Sequence, residues 1–261
     1  MPDGGAVVLD VSGLARSFGG VRAVVNCSFQ VREGTVVGLI GPNGAGKSTA
    51  IEMISGFLHP HAGKINFDGT EIQGWPAHRV AGRGLIRTFQ TPREWGGLTV
   101  MDNMLIAAEQ KGREKAWRAI FDRRRLGRAE QEDRVRARSL LERFGLIQLR
   151  DEVAGALSGG QKRLLEFARI AMRQPRLVLL DEPCAGVNPV LQRNIEEAIL
   201  GLREEGVTVL LVEHNLAFVD RACNDIFVMA QGATIAEGTL AQLRQNALVI
   251  DAYLGEAAAV V

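Results

Sequence analysis

The segment that most constrains this chain is a glycine-rich run between an apolar strand and a helix. Residues 36–40 predict the strand, and residues 48–57 predict the helix. Glycines allow successive backbone N–H groups to face one spot, where the helix N-terminus adds positive partial charge. We therefore predict a nucleoside triphosphate site, the P-loop, in which Lys47 reaches the terminal phosphates and the Ser48 hydroxyl holds Mg²⁺. Its members are Gly41, Pro42, Asn43, Gly44, Ala45, Gly46, Lys47, Ser48 and Thr49.

A second glycine-rich loop opens a helix predicted over residues 161–173. Ser158 takes the N-cap position, and Gly159 and Gly160, followed by Gln161, expose backbone N–H groups at the helix start. This second anion site lies far from Lys47 in sequence, and one triphosphate rarely needs two such sites from one subunit. We therefore expect two chains to meet head to tail, each lending this loop to the other's nucleotide. An ordinary capped helix is the alternative.

Two carboxylates follow a continuous apolar run at residues 177–180, which predicts a buried parallel strand. The carboxyl ends of such strands are where open α/β sheets bind ligands. Asp181 is predicted to hold Mg²⁺ through its water shell, and Glu182 to polarise the attacking water as general base. A similar run at residues 207–212 ends next to His214. This histidine is therefore predicted to contact the γ-phosphate or the attacking water.

These motifs resemble the ATPase subunits of ABC transporters over nearly the whole chain. The resemblance makes the loop from Ser158 to Gln161 the signature loop, Asp181 and Glu182 the Walker B pair, and His214 the switch histidine. It also implies two further residues. Gln90 would be the Q-loop glutamine, joining Ser48 and Asp181 at Mg²⁺. Phe18 would stack on the adenine of ATP, although it could equally be a core residue of a small β-subdomain.

Finer features resemble the ATPases of branched-chain amino-acid importers: residues 87–90, 185–189, 212–215 and 250–255. The resemblance implies a second ABC ATPase chain, identical or related, transmembrane permease subunits, and a periplasmic binding protein acting indirectly. Asn188 stands where the family has an Asp, so a salt bridge across the dimer is in doubt there. Cys184 is expected to be a small buried filler.

The expected fold is α/β: a P-loop NTPase core of the ABC ATPase type, with a small antiparallel β-subdomain and an inserted helical subdomain. We expect one domain over residues 1–261, with the core at about 6–90 and 156–255 and the insertion at about 91–155. Helices are predicted in the insertion over residues 100–111, 114–126 and 130–144. Trp95, after the Q-loop, is either an interface anchor or part of this subdomain's core.

Composition limits the remaining choices. The net charge of +1 gives no global attraction to nucleic acid, which is not expected as a partner. Residues 111–143 carry twelve Lys or Arg against six Asp or Glu, which indicates either a lipid or RNA contact or a solvated helix face. Three scattered cysteines suggest reduced thiols and no zinc site.

No secretion signal and no apolar run of the roughly 20 residues that a membrane helix needs are found in the sequence. We therefore expect a cytoplasmic protein, peripheral on the cytoplasmic face of the cell membrane, whose membrane-spanning partner is another polypeptide. Two alternatives stay open. One is the ATPase subunit of a lipopolysaccharide-export system, and the other is a soluble assembly ATPase of the iron–sulfur scaffold type.

Overall fold

The computed structural model describes residues 5–88, 94–108 and 123–258. By packing, the chain divides into two compact units. The first unit comprises Met1–Gln90, Arg176–Gly186 and Ile199–Val261. The second comprises Thr91–Pro175 and Val187–Ala198.

Ten strands among the described residues form one sheet, and all of them lie in the first unit. In chain order they are β1 Val7–Phe18, β2 Val21–Arg32, β3 Val36–Ile40, β4 Ala62–Phe67, β5 Thr70–Glu71, β6 Leu85–Arg87, β7 Leu177–Asp181, β8 Thr208–Val212, β9 Asp225–Ala230 and β10 Ala233–Gly238. Their order across the sheet is β5-β4-β1-β2-β10-β9-β3-β8-β7-β6.

The sheet has an antiparallel part and a parallel part, as predicted. β1 pairs antiparallel with β2 and β4, whereas β3 pairs parallel with β8 and β9, and β7 pairs parallel with β6 and β8. The central strands β3, β7 and β8 are buried along their whole length, which matches their continuous apolar sequences. Strands β4, β5, β6 and β10 were not predicted, because they are short or half-exposed and carry no continuous apolar run.

The described helices are α1 Lys47–Ile54, α2 Ala77–Gly82, α3 Val100–Ala108, α4 Arg123–Arg143, α5 Gly159–Arg173, α6 Pro189–Glu204, α7 Leu216–Ala222, α8 Leu240–Leu243 and α9 Ala247–Ala258. In the first unit, α1 buries Ile51 and Met53 in the main core, together with residues of the sheet. A second core joins Val228 of the sheet to Val249 and Tyr253 of α9. Among the residues that the structure describes, no helix is long and apolar enough to cross a membrane.

The second unit is helical. Helices α3, α4 and α5 pack against one another and bury Met104, Leu141 and Phe167. Because α5 packs with α3 and α4, this unit extends past the expected boundary at about residue 155 and includes the first turns of α6. The helix predicted over residues 114–126 falls mostly outside the described residues, and the one predicted over residues 130–144 belongs to the longer α4.

Candidate functional site

The P-loop joins β3 to α1 in the first unit, as predicted. Its shape depends on glycine, because Gly44 and Gly46 have φ values of +74° and +96°. A Cβ atom on Gly46 would lie only 2.4 Å from the backbone oxygen of Ala23. At Gly46 the loop therefore passes so close to β2 that no side chain fits there. The result is a cradle of main chain at a helix start, which fits a phosphate group.

Lys47 is the first residue of α1 and is only 6% exposed. Its ammonium group donates hydrogen bonds to the backbone oxygens of Gly41 and Pro42, at 2.7 and 2.8 Å. These contacts hold the lysine side chain across the loop that it follows. Ser48, next in the helix, is exposed at the same end.

The carboxylate of Asp181 lies at the end of β7 and is almost completely buried. Its Oδ2 atom accepts a hydrogen bond from Nη2 of Arg87 at 3.0 Å. Its Oδ1 atom is buried and has no hydrogen-bond partner among the described residues. A buried carboxylate oxygen in this condition fits a hydrated Mg²⁺, which prefers oxygen ligands and keeps several of its waters.

Glu182 and His214 are brought together, as the adjacent strands predicted. β7 and β8 pair up to Asp181 and Val212, and the Glu182 amide then donates to the Val212 carbonyl at 2.9 Å. Beyond this point the histidine Nε2 lies 2.5 Å from Oε1 of Glu182. Both side chains are partly open to solvent, at 47% for His214 and 21% for Glu182. A carboxylate and an imidazole in direct contact can share or relay a proton.

A third acidic side chain, Glu213, joins the two segments. It is 4% exposed, and its Oε1 atom accepts a hydrogen bond from the Cys184 amide at 2.8 Å. Its Oε2 atom accepts from the amides of His214 and Asn215, at 3.0 and 3.4 Å. The carboxylate thus spans the loops that follow β7 and β8.

Phe18 and Gln90 are two further predicted ligands, of the nucleotide and of its Mg²⁺ site. Phe18 ends β1, and its side chain is 46% exposed, which excludes the alternative that it is a core residue. The guanidinium carbon of Arg16 lies 5.1 Å from the ring centroid. An exposed aromatic ring is suited to stacking on a base. Gln90 lies outside the described residues.

The signature loop belongs to the second unit. Ser158 is the N-cap of α5 and forms a capping box with Gln161, whose amide side chain accepts from the Ser158 amide at 2.9 Å. Ser158 and Gly159 are exposed. A Cβ atom on Gly160 would come within 3.0 Å of Leu191 in α6, whereas one on Gly159 would meet no described atom within 4 Å. The helix start is therefore formed and open on one side.

Three smaller predictions can also be compared with the structure. Cys184 is buried, as predicted. The Asn188 side chain accepts a hydrogen bond from the Leu191 amide at 2.9 Å, so it serves the first turn of α6. Trp95 is 43% exposed, and the guanidinium carbon of Arg169 lies 4.3 Å from its ring centroid. The alternative of a core tryptophan is therefore wrong.

No role was predicted for Arg87 or Glu213, although both lie in segments that carry predicted site residues. The available signal was a charged residue at the end of a strand or directly after it, close to residues with a predicted role in the site. Such a charge must find a partner when it is buried, and here the partners are Asp181 and three backbone amides.

A glycine-dependent P-loop, with buried parallel strands tipped by Asp181, Glu182 and His214, defines a nucleotide-binding α/β protein. The chain belongs to the ABC transporter ATPases: the family model described as "ABC transporter" matches residues 24–185. A second family model, described as "Branched-chain amino acid ATP-binding cassette transporter", matches residues 233–259. The family and fold predicted from the sequence are confirmed.

Relatives match over nearly the full length. The chain is 43% identical to the high-affinity branched-chain amino acid transport ATP-binding protein BraF of Pseudomonas aeruginosa, covering 96% of this chain and 98% of that protein. It is 39% identical to LivG of Escherichia coli, with the same coverage and the same description. A crystal structure of the ADP conformation of MJ1267, an ATP-binding cassette of an ABC transporter, superposes with a TM-score of 0.80. It is 33% identical, covering 96% of this chain and 99% of that chain.

Proposed function

We propose that this chain is the ATP-hydrolysing subunit of an ABC importer for branched-chain or related amino acids. The contact between Glu182 and His214 at the tips of β7 and β8 is the observation that carries the hydrolytic role. The match at residues 233–259 and the names of the relatives support the cargo class. The same match favours an amino-acid importer over the lipopolysaccharide-export and iron–sulfur assembly alternatives.

The residues divide the chemistry among them. The P-loop from Gly41 to Thr49 and the Lys47 ammonium bind the phosphates, and Phe18 stacks on the adenine. Glu182 accepts the proton of the attacking water as general base. His214, in contact with that carboxylate, orients the water or contacts the γ-phosphate. Hydrolysis by this arrangement depends mainly on positioning and on stabilising the charge of the transferred group.

Mg²⁺, when bound, neutralises charge that develops on the β- and γ-phosphates. Ser48, Asp181 and Gln90 are the residues proposed to hold it, with Asp181 acting through the water shell. The buried Oδ1 atom of Asp181 supports this assignment, because an oxygen without a partner leaves hydrogen-bonding capacity for a metal-bound water.

We propose that a second ABC ATPase chain, identical or related, completes each site with its signature loop. The exposed and preformed start of α5, from Ser158 to Gln161, supports this proposal. Such a helix start attracts anions through its amides and its dipole. Closure of the dimer on ATP and reopening after hydrolysis would supply the movement that transport needs.

Transmembrane permease subunits are proposed to dock on the second unit, with a periplasmic binding protein acting through them. Exposed apolar side chains of Trp95, Leu98 and Val153 lie on neighbouring segments joined by a hydrogen bond from the Ala154 amide to the Leu98 carbonyl.

Trp95→Ala should lower co-purification with the permeases, while Val135→Ala, which removes another exposed apolar side chain, should not. Equal recovery of both variants would exclude Trp95 as the anchor. Docking on the permeases would make the chain peripheral on the cytoplasmic face of the membrane.

The hydrolytic assignment is tested by Glu182→Gln. This change keeps the shape of the side chain and removes the base, so hydrolysis should fall about 10²–10⁴-fold while ATP still binds. Lys47→Ala should instead lose affinity for ATP. A Glu182→Gln protein that hydrolyses ATP at the wild-type rate would exclude Glu182 as the base.

The cargo class is tested by uptake in the organism that encodes the chain. Deleting its gene should lower uptake of radiolabelled leucine, isoleucine and valine, and the wild-type gene should restore it. A gene carrying Lys47→Ala should not restore it, since that chain cannot bind ATP productively. Unchanged leucine uptake in the deletion strain would contradict the proposed cargo.

A further inference from the structure

The paired strands β7 and β8 end just before the residues that do the chemistry. Asp181 and Val212 are the last paired residues, and the Glu182 amide makes one more hydrogen bond, to the Val212 carbonyl. The two segments then leave the sheet. Beyond the Glu182–His214 contact, a second side chain bridges the two segments: Oε1 of Glu213 accepts a hydrogen bond from the Cys184 amide at 2.8 Å.

The burial and the hydrogen bonds of Glu213 suit it to this bridge. It is 4% exposed, and burial of a carboxylate is costly unless hydrogen bonds compensate it. Three backbone amides do so, one from the Glu182 segment and two, His214 and Asn215, from its own. Asn215 in turn caps α7 by accepting from the Phe218 amide at 3.2 Å. The carboxylate therefore ties the Glu182 segment to a helix start.

The backbone of Glu182 needs such support. Its φ value is +49°, in the left-handed region that residues other than glycine seldom adopt. A residue is held in this region only when the surrounding structure fixes it, and such residues cluster at functional sites. The Glu182 carbonyl accepts from the Ala185 amide at 3.1 Å, and the amide between them in the chain, that of Cys184, is held by Glu213.

We propose that Glu213 is a positioning residue that holds the Glu182 carboxylate against His214 through the Cys184 and His214 amides. It does not touch the nucleotide and acts through Glu182. The inference rests on the proposed role of Glu182 as general base. A catalytic group displaced by about 1 Å can lose about a hundredfold in rate, which sets the scale of the expected effect.

The conservative change Glu213→Gln tests the proposal. The Cys184 and His214 amides donate to different oxygens of Glu213. A glutamine in the same position would replace one of these oxygens by an NH₂ group, which would face one of the two donors. We expect kcat for ATP hydrolysis to fall about tenfold to a hundredfold. The dissociation constant of ATP should change less than about threefold, because the P-loop is intact. Glu237→Gln, which changes an exposed carboxylate on β10, is the control and should keep kcat within about twofold.

A double variant separates positioning from general damage. If Glu213 acts through Glu182, adding Glu213→Gln to Glu182→Gln should lower the residual hydrolysis by less than about twofold. The same fold loss in both backgrounds would mean that Glu213 acts independently of Glu182, and would overturn the proposal. Circular dichroism melting of each variant checks the fold. If Glu213→Gln does not fold, Glu213→Asp, which keeps the charge but is one methylene too short, takes its place.

The outcomes distinguish this inference from the proposed function on which it rests. Normal hydrolysis by Glu182→Gln would show that Glu182 is not the general base, and the hydrolytic role proposed for this site would be excluded. Strongly reduced hydrolysis by Glu182→Gln together with normal kcat in Glu213→Gln would overturn the positioning role alone. A Glu213→Gln protein that loses ATP binding in step with kcat would also contradict it.

Discussion

The P-loop and the signature loop both place glycines at the start of a helix, but they differ in what surrounds those glycines. In the P-loop, Gly46 lies so close to β2 that a Cβ atom would collide with a backbone oxygen, and the Lys47 ammonium bonds to the loop itself. In the signature loop, Ser158 and Gly159 are exposed, and no described atom lies within 4 Å of a Cβ placed on Gly159.

The different surroundings of the two loops indicate different roles. Two P-loop glycines, Gly41 and Gly46, lie tightly against backbone atoms of neighbouring strands, so the fold itself fixes the shape of this phosphate site. The signature loop is held by its capping box and by the close approach of Leu191 to Gly160, and it presents an open helix start at Gly159. An open, preformed anion site is what a partner's nucleotide would require. The comparison therefore supports a site made from two chains, and it can be tested one loop at a time.

The largest loss of stability is expected from adding a side chain to a P-loop glycine. Gly46→Ala forces a Cβ atom against the Ala23 carbonyl at a φ of +96°, and strain and overpacking together should cost about 3 kcal/mol or more. Urea unfolding measures the loss, and ATP binding should disappear with it. Gly82→Ala, where a Cβ meets no described atom within 4 Å and φ is not positive, is the matched control. Equal stability of the two variants would show that the loop can relax.

The two units should also differ in their response to alkaline pH, because all three cysteines lie in the first unit. Burial raises the pKa of Cys27 from 9.0 to about 11, partly offset by a hydrogen bond with Thr234. Burial likewise raises the pKa of Cys223 to about 12, and the nearby charge of Glu213 adds to this shift. Between pH 9 and pH 11 the unfolded chain loses thiol protons that the folded chain keeps. The free energy of unfolding is therefore highest below pH 9 and falls as pH rises.

Cys27→Ala isolates this effect. Between pH 9 and pH 11 the wild-type chain should lose up to roughly 2–3 kcal/mol more stability than the variant, at about 1.4 kcal/mol per pKa unit. Urea unfolding at several pH values in this window measures the difference. Parallel curves for the two proteins would show that the Cys27 thiol keeps an ordinary pKa when folded.

A smaller effect is expected at the signature loop. Ser158→Ala removes an N-cap and one half of the capping box, which should cost about 1 kcal/mol. Ser139→Ala, on the exposed surface of α4, should change stability by less than about 0.5 kcal/mol. Thermal melting of the two variants provides the comparison. If they melt alike, the open helix start does not depend on its cap.

The parallel core and most of its site could be predicted from the sequence because their signals are local. Continuous apolar runs mark β3, β7 and β8, and the residues chosen for chemistry follow directly after them. The adjacency of Glu182 and His214 followed from the expectation that parallel strands end at one edge. Ser158 was predicted as an N-cap from its place before two glycines, and the structure has it there.

What could not be predicted depends on partners distant in sequence. Arg87 pairs with Asp181 across 94 positions, and Glu213 accepts from an amide 29 positions away. The sequence periodicity of these segments does not predict such long-range contacts. The second unit is also larger than expected. The core was predicted to resume at about residue 156, at the glycine-rich loop before α5, whereas the buried face of α5 packs on α3 and α4.

The most direct test of the two-chain site uses one variant to trap the complex and another to block it. The Glu182→Gln chain should sediment as a dimer with ATP and as a monomer with ADP, because ATP bound at an interface stabilises the dimer that binds it. Adding Gly159→Asp should abolish the ATP-dependent dimer by placing negative charge beside the partner's phosphates. The folded monomer should be unaffected, since the side chain points into open space and an acidic residue suits a helix start.

Analytical ultracentrifugation of the single and double variants, each with ATP and with ADP, therefore decides the question. A dimer that forms with ATP in Glu182→Gln alone, and not in the double variant, is the predicted result. Two results would contradict a site shared between two chains. One is an ATP-dependent dimer of equal stability in both variants. The other is a wild-type chain that stays monomeric with ATP and still hydrolyses it at full rate.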